Sequence, residues 1–414
     1  MAGRRHRHHG HRPVLPASRK HRPADGRHRA QDRLGEEGLL GLAPRPVATL
    51  TDAQRLDWLR LLRTDNVGPA TFRQLLNRFG AADAALEALP GLLKRTGKPL
   101  RVPTRSEAED EIAGLSRYGA RLVASGEPDY PPLLAYIPAA PPLVTMAGGQ
   151  NLDWLRTVAI VGARNASAAG IKMTRLLAGD LGERGYTVVS GLARGIDTAA
   201  HRATLTTGTI AVLAGGFDKI YPDENIPLAH DILDSGGALL TEMPLGWEPR
   251  ARDFPRRNRL VSGLALGVVV VEAAKRSGSL ITARLALEQN RDVFAVPGFP
   301  LDPRAEGGNA LIQQGAKLIT GAADIVETLG SADPSRNALF DRDWEPDLLP
   351  DTAPPSEDDR SRLLSSLSAT PIDVDELIRQ SGLPASAMQM LLLELDLAGQ
   401  IEWSSGQLVA LKYS

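Results

Sequence analysis

The sequence predicts an α/β protein: a central, doubly wound, Rossmann-like parallel sheet with a small all-α N-terminal domain and a C-terminal winged helix. Three observations carry this. Short β-branched runs at 157–162, 187–191, 209–215, 238–242, 267–272, 292–297 and 317–320 alternate with helical segments. Strands that are apolar throughout and alternate with helices build a parallel sheet covered on both faces. Before them, Leu56, Leu59, Leu62, Phe72, Leu75, Leu76 and Phe79 recur at helical spacing. After them, helical segments near 360–367, 373–381 and 385–397 precede two short strands around Ser405-Gly406, the order of a winged helix.

At 414 residues the chain exceeds one ordinary core, and composition marks its divisions. Residues 1–46 are Arg- and His-rich and broken by Gly and Pro, which reads as a disordered basic tail and not as a secretory signal. Such a tail either touches nucleic acid without sequence preference or is a plain unstructured end, and the plainer reading is favoured. Residues 47–119 form the helical domain, with Thr51 or Asp52 as the first N-cap. Its Asn66-Val-Gly-Pro turn resembles a helix-hairpin-helix (SAM-like) element, whose turn amides would meet a phosphate. An ordinary helical hairpin accounts for the same residues. Residues 120–330 hold an extended lead-in, to about 149, and then the sheet. Residues 331–357 are an acidic, Pro-rich linker, and 358–414 are the winged helix.

Composition excludes several function classes. Hydrophobic residues are 43% and charged residues 23%, as in soluble globular proteins, and no apolar run approaches the roughly 20 residues of a membrane helix. The chain has no cysteine, which removes disulfides and thiol chemistry and suits a cytoplasmic location. Outside the tail only His201 and His230 remain, so no metal cluster is expected. Neither Gly-x-Gly-x-x-Gly after the first strand nor a P-loop is present, and no catalytic constellation or cofactor is expected.

In an open α/β sheet, ligands sit beyond the carboxyl ends of the strands. The loops there share one character: Gly162-Ala-Arg-Asn-Ala-Ser, Ser190-Gly-Leu-Ala-Arg-Gly-Ile-Asp, Gly215-Gly-Phe-Asp-Lys with Tyr221-Pro, Asp253-Phe-Pro-Arg-Arg-Asn-Arg, and Glu272-Ala-Ala-Lys-Arg-Ser-Gly-Ser. Glycine lets amides approach an anion, helix N-termini favour negative charge, and arginine grips phosphate bidentately or stacks on a base. Several such loops on one edge suit a strung-out polyanion better than a single phosphate. Some of Arg256, Arg257 and Arg259 are expected to pair with acids such as Asp253 or Glu272. Asp197 reads as the cap of the helix from Thr198, and His201 as a buried structural residue.

These motifs resemble, in order and in register over roughly residues 120–329, the DprA (Smf-type) family of DNA-processing proteins. The matching segments are Gly162–Ser167, Ser190–Asp197, Pro255–Arg259, Glu272–Leu280 and Pro297-Gly298. Two positions depart: Ala163 stands for the usual Ser and Ala169 for a frequent Tyr, so no hydroxyl or ring contact is expected there. The resemblance implies single-stranded DNA binding, a homodimer through the Rossmann-like domain, and delivery of RecA onto DNA in natural transformation. It carries DNA contact onto Gly162, Arg164, Ser167, Arg194, Arg256, Arg257, Asn258, Lys275, Ser277, Gly278 and Ser279. The alternative is a nucleotide or nucleoside-phosphate hydrolase of the lysine-decarboxylase-like (LOG) group, but that group's Pro-Gly-Gly-x-Gly-Thr is here Ala214-Gly-Gly-Phe-Asp.

Aromatics are only 4%, so arginine and amides are expected to supply most of the base contacts. Between Arg379 and Lys412 there is no Lys or Arg, while Glu394, Asp396 and Glu402 add negative charge. A helix that reads a DNA groove needs donors and cations, so the winged helix is expected to contact protein.

Overall fold

The computed structural model describes residues 49–94, 100–330, 355–404 and 407–412; the basic tail, most of the linker and the Ser405-Gly406 turn lie outside them. Thr51 caps α1 (Asp52–Leu62): its side chain accepts from the Gln54 amide while Gln54 reaches back to the Thr51 amide. Pro69 opens α2 (Pro69–Phe79), where the missing N–H costs nothing. α3 (Ala82–Lys94) and α4 (Arg105–Ser116) complete the helical module. Leu61, Phe72, Leu75 and Leu89 are its fully buried centre, with Trp58 edge-on to Phe72 at 5.0 Å.

The large sheet runs β1 (Ala120–Ala124), β2 (Leu143–Gly148), β3 (Thr157–Val161), β4 (Thr187–Ser190), β5 (Thr209–Val212), β6 (Ala238–Thr241), β7 (Gly267–Val270), β8 (Asp292–Ala295) and β9 (Lys317–Leu318). Their spatial order is β1-β2-β6-β5-β4-β3-β7-β8-β9. All pairings from β6 through β9 are parallel, as the apolar runs predict. The lead-in to the sheet is not merely extended: β1 and β2 add two antiparallel strands beyond β6. Every residue of β3 to β7 is buried. Alternate residues serve opposite layers. Ala159 and Val161 face α8 (Asp253–Gly263) and α9 (Gly278–Glu288), while Val158 and Ile160 face α5 (Ala168–Glu183) and α6 (Ile196–Ala203). α7 (Ile226–Asp234), α10 (Glu306–Gln313) and α11 (Ala322–Gly330) complete the layers. The segment after β6, which reads as a loop in the sequence, is the helix α8; Pro255 falls in its first turn, where proline is tolerated.

The chain leaves β3 in one direction, through β4, β5 and β6, and resumes at β7 on the other side of β3. β3 and β7 therefore flank the switch point, where a crevice must open at the strand ends.

The winged helix comprises α12 (Glu357–Ser366), β10 (Ile372–Asp373), α13 (Val374–Ser381), α14 (Ala385–Leu397), β11 (Ile401–Ser404) and β12 (Leu408–Leu411). α14 is apolar on two sides. Met388, Leu391, Leu392 and Leu395 fill the winged-helix core, whereas Leu393 and Leu397 join the core of the helical module. Thr71 donates to Asp396 at 2.6 Å, and the Asn66 side-chain amide donates to the Leu397 carbonyl at 2.8 Å. The helix that would enter a DNA groove is thus packed on protein. Among the described residues no helix is long and apolar enough to cross a membrane.

This packing has measurable effects on stability. Leu397→Ala removes a side chain that supports the helical module and should cost about 2–4 kcal/mol. Hydrogen exchange should accordingly accelerate across α2 as well as α14. His201 is fully buried with Nδ1 2.7 Å from Thr209 Oγ1, and burial, with a smaller push from Arg257, lowers its pKa to about 3. Between pH 6.5 and 3 the unfolded chain binds a proton that the native state refuses, so stability falls as pH falls through that window. At pH 5 the loss from this group is roughly 2 kcal/mol relative to pH 7.5. Denaturant titrations at the two pH values should show that difference shrink in His201→Gln.

Candidate nucleic-acid interface

A cleft of ≈ 750 Å³ opens over the β3 and β7 ends, where the topology reverses. A smaller hollow of ≈ 300 Å³ adjoins it, and Arg164, Phe254 and Arg257 line both. Of the residues expected from sequence, Gly162, Arg164, Arg257, Asn258, Ser277, Gly278 and Ser279 line the cleft, and Arg194 lines the hollow. Ser167, Arg256 and Lys275 line neither.

Carboxylates set into the rim hold the loops in shape. Glu272, half-buried just past β7, accepts the Ser167 amide at 2.9 Å and the Ser167 hydroxyl at 2.5 Å. The same hydroxyl accepts the Gly170 amide at the start of α5. A Cβ at position 170 would stand 2.5 Å from the Glu272 carboxyl carbon, so a larger residue there would push the carboxylate from its place on Ser167. Glu272 thus ties the β3 loop to the β7 loop, and among the described residues it makes no ion pair with an arginine, contrary to expectation. Asp197 does not cap its own helix either. It accepts the amides of Gly191 and Ala193 at 3.1 and 3.3 Å, fixing the loop that precedes it. Burial raises its pKa, with Arg257 and the loop amides opposing.

Arg257 lies inside this rim, only 5% exposed. Its Nη1 donates to the Gly191 carbonyl and, at 2.8 Å, to the Val212 carbonyl. Burial lowers its pKa to about 10, with Asp197 opposing, so it remains a cation at neutral pH. Its donors serve the loops first. Arg256 and Arg259 pair with Glu242, itself 7% exposed, and not with Asp253 or Glu272. Arg194 makes an exposed pair with Glu224 at 2.6 Å, an interaction that stabilises little. Arg164, Lys275 and Arg276 are exposed and have no carboxylate partner among the described residues. Across the cleft, Asn258 donates to the Gly278 carbonyl at 3.3 Å, and Ser277 caps α9 with its hydroxyl 2.7 Å from that of Ser279.

Sequence reasoning missed the aromatic contribution. The Arg164 guanidinium lies 5.1 Å from the Phe254 ring centre, and Phe254 meets Tyr221 edge-to-face at 5.5 Å. Tyr221 is 48% exposed, leaving ring surface open to a ligand. Both residues stand in strand-end loops by sequence, but nothing local to either shows that they meet. The arrangement offers cations for phosphates, a stacked arginine and an open ring for bases, and glycine-bounded backbone between them.

Comparison with known proteins identifies the family. The family model described as DNA recombination-mediator protein A matches residues 121–330, the DprA-like N-terminal HHH domain matches 52–114, and the DprA winged helix domain matches 348–407. The N-terminal match favours the helix-hairpin-helix over an ordinary hairpin. The chain is 37% identical over 370 residues to Protein Smf of Escherichia coli (strain K12), covering 86% of this chain and 95% of that protein. It is 44% identical over 233 residues to the DNA processing protein DprA of Bacillus subtilis (strain 168), covering 55% of this chain and 76% of that one. The X-ray structure of DprA from Streptococcus pneumoniae aligns at a TM-score of 0.50 with 36% identity, over 59% of this chain and 81% of that chain. The chain belongs to the DprA/Smf family of DNA-processing, recombination-mediator proteins.

Proposed function

We propose that the cleft binds single-stranded DNA without sequence preference. In the same reading, the chain delivers a RecA-type recombinase onto that strand and pairs with a second copy through its sheet domain. One observation carries the DNA reading. Exposed Arg164, Lys275 and Arg276, without carboxylate partners among the described residues, share the switch-point edge with the Tyr221–Phe254 pair. A single nucleotide needs one phosphate cradle, whereas cations on successive loops suit a chain of phosphates. The recombinase step rests on family membership. The dimer is supported by the β8–β9 side of the sheet, which leaves Leu287 and Leu318 exposed at 59% and 47%. We also assign Arg257 a shaping role and Arg164 a contacting one.

The test is fluorescence anisotropy of oligo-dT of several lengths over a salt series. Affinity should rise with length and fall with salt, with a slope of about −0.7 per phosphate contacted. Arg164→Ala should weaken binding roughly tenfold or more, because hydrogen bonds to charged groups are worth about 1.5–3 kcal/mol, and should leave the melting temperature unchanged. Arg257→Met should instead lower stability by roughly 2–4 kcal/mol, since two carbonyls at the strand ends lose their donor. Binding that is absent or indifferent to salt and length would overturn the reading and turn attention to nucleotide hydrolysis.

A further inference from the structure

The loop that leaves β8 holds two large apolar side chains in water: Phe299 is 69% exposed and Leu301 82%. The loop is built to stay where it is. The Asp302 amide donates to the Phe299 carbonyl at 2.9 Å, closing a four-residue turn with Pro300 at its second position. Arg304 folds back onto Asp302 through its amide and its guanidinium. At the base, Asn309 of α10 grips Gly298 twice, accepting its amide at 3.1 Å and donating to its carbonyl at 3.0 Å. The other end is joined to the β7 loop, where the Ala273 amide donates to the Arg304 carbonyl at 2.8 Å. Pro297, Pro300 and Pro303 restrict the backbone further. Phe299 is therefore presented on a stiff support.

Its location gives the exposure a meaning. β8 is the neighbour of β7, and Arg304 lines the cleft. The adjoining β7 loop carries Lys275 and Arg276, both exposed and without carboxylate partners among the described residues. Across the strand ends, ring-bearing and cationic loops succeed one another: Tyr221 after β5, Arg164 after β3, Lys275 after β7, Phe299 after β8. From β5 to β8 is four strand spacings, about 19 Å. The exposed apolar groups of this loop, Phe299, Pro300, Leu301 and Pro303, are flanked by Arg304 and by the loop that carries Lys275 and Arg276, cations that suit a strand of phosphates better than an apolar protein surface. An open ring beside cations suits a nucleobase with its phosphate.

We propose that Phe299 is a second base-stacking station on the single-strand track, with Leu301 packing against the same base or the next. A strand seated in the cleft then continues over the β8 loop. This rests on the reading of the cleft as a single-strand site, and the test separates the two. Anisotropy is measured for wild type, Phe299→Ala, Phe299→Tyr and Arg164→Ala with oligo-dT of increasing length, and with long oligomers made abasic at either end. Short oligomers that fill only the cleft should bind wild type and Phe299→Ala equally. Beyond a threshold length wild type should gain roughly 5- to 160-fold over Phe299→Ala, the range for stacking one base. Phe299→Tyr should retain the gain, and an abasic end should abolish it. Arg164→Ala should weaken every length. Phe299→Ala that follows wild type at all lengths while Arg164→Ala is impaired overturns the station and leaves the cleft reading standing. No binding by wild type at any length overturns both.

Discussion

Two parallel strands finish side by side with their carbonyls, Gly191 and Val212, pointing at the same buried guanidinium. Arg257 answers both, and because it belongs to α8 it sets the rotation and position of that helix over the strand ends. Everything α8 offers follows from this register. Phe254, about one turn earlier, reaches the hollow; Asn258 crosses to the α9 loop; Arg256 and Arg259 turn away toward Glu242. Gly191 is glycine because the guanidinium occupies the place of a Cβ. A buried cation is costly unless it is paired or hydrogen-bonded, and here Nη1 donates to the two strand-end carbonyls while the Asp197 carboxylate offsets part of the cost.

The rim looks strongly basic in sequence, yet much of its charge is neutralised within it. Glu242 pairs with two arginines and Glu224 with one, while the carboxylates of Glu272 and Asp197 bind loop amides. The acids are part of the same design. A flexible Gly-rich loop would have to be ordered when a ligand arrived, whereas loops already tied to carboxylates present their outward groups in place. What remains for a ligand is a small set of cations and rings on a rigid edge.

Much of this arrangement is legible in the residues alone. Strands buried on both faces read as uninterrupted apolar runs, and the loops that follow them must lie on one edge. The orientation of the arginines is not legible in that way, because 253–263 reads as loop. As a helix, it puts Arg257 on one face with Leu260, Val261 and Leu264, all buried, and the interior position follows from the 3.6-residue period. The partners of Glu272 and Asp197 are hidden for a different reason. Glu272 binds the loop of a neighbouring strand, which only the sheet order brings close, and Asp197 turns back onto amides whose positions depend on the loop's own path. The Tyr221–Phe254 contact likewise needs the tertiary arrangement. Conversely, the last helix carries no Lys or Arg, and part of it packs on the helical module.

That packing changes what the divisions of this chain mean. The helical module and the winged helix stand far apart in the sequence and match separate family models, yet Leu393 and Leu397 of one are part of the apolar interior of the other. Removing the winged helix by a cut within the linker would take Leu393 and Leu397 out of that interior. The boundaries that sequence similarity draws are therefore not boundaries of cooperativity. The two modules should melt as one unit, and fragments cut at those boundaries would inherit a sticky face that the whole chain does not have.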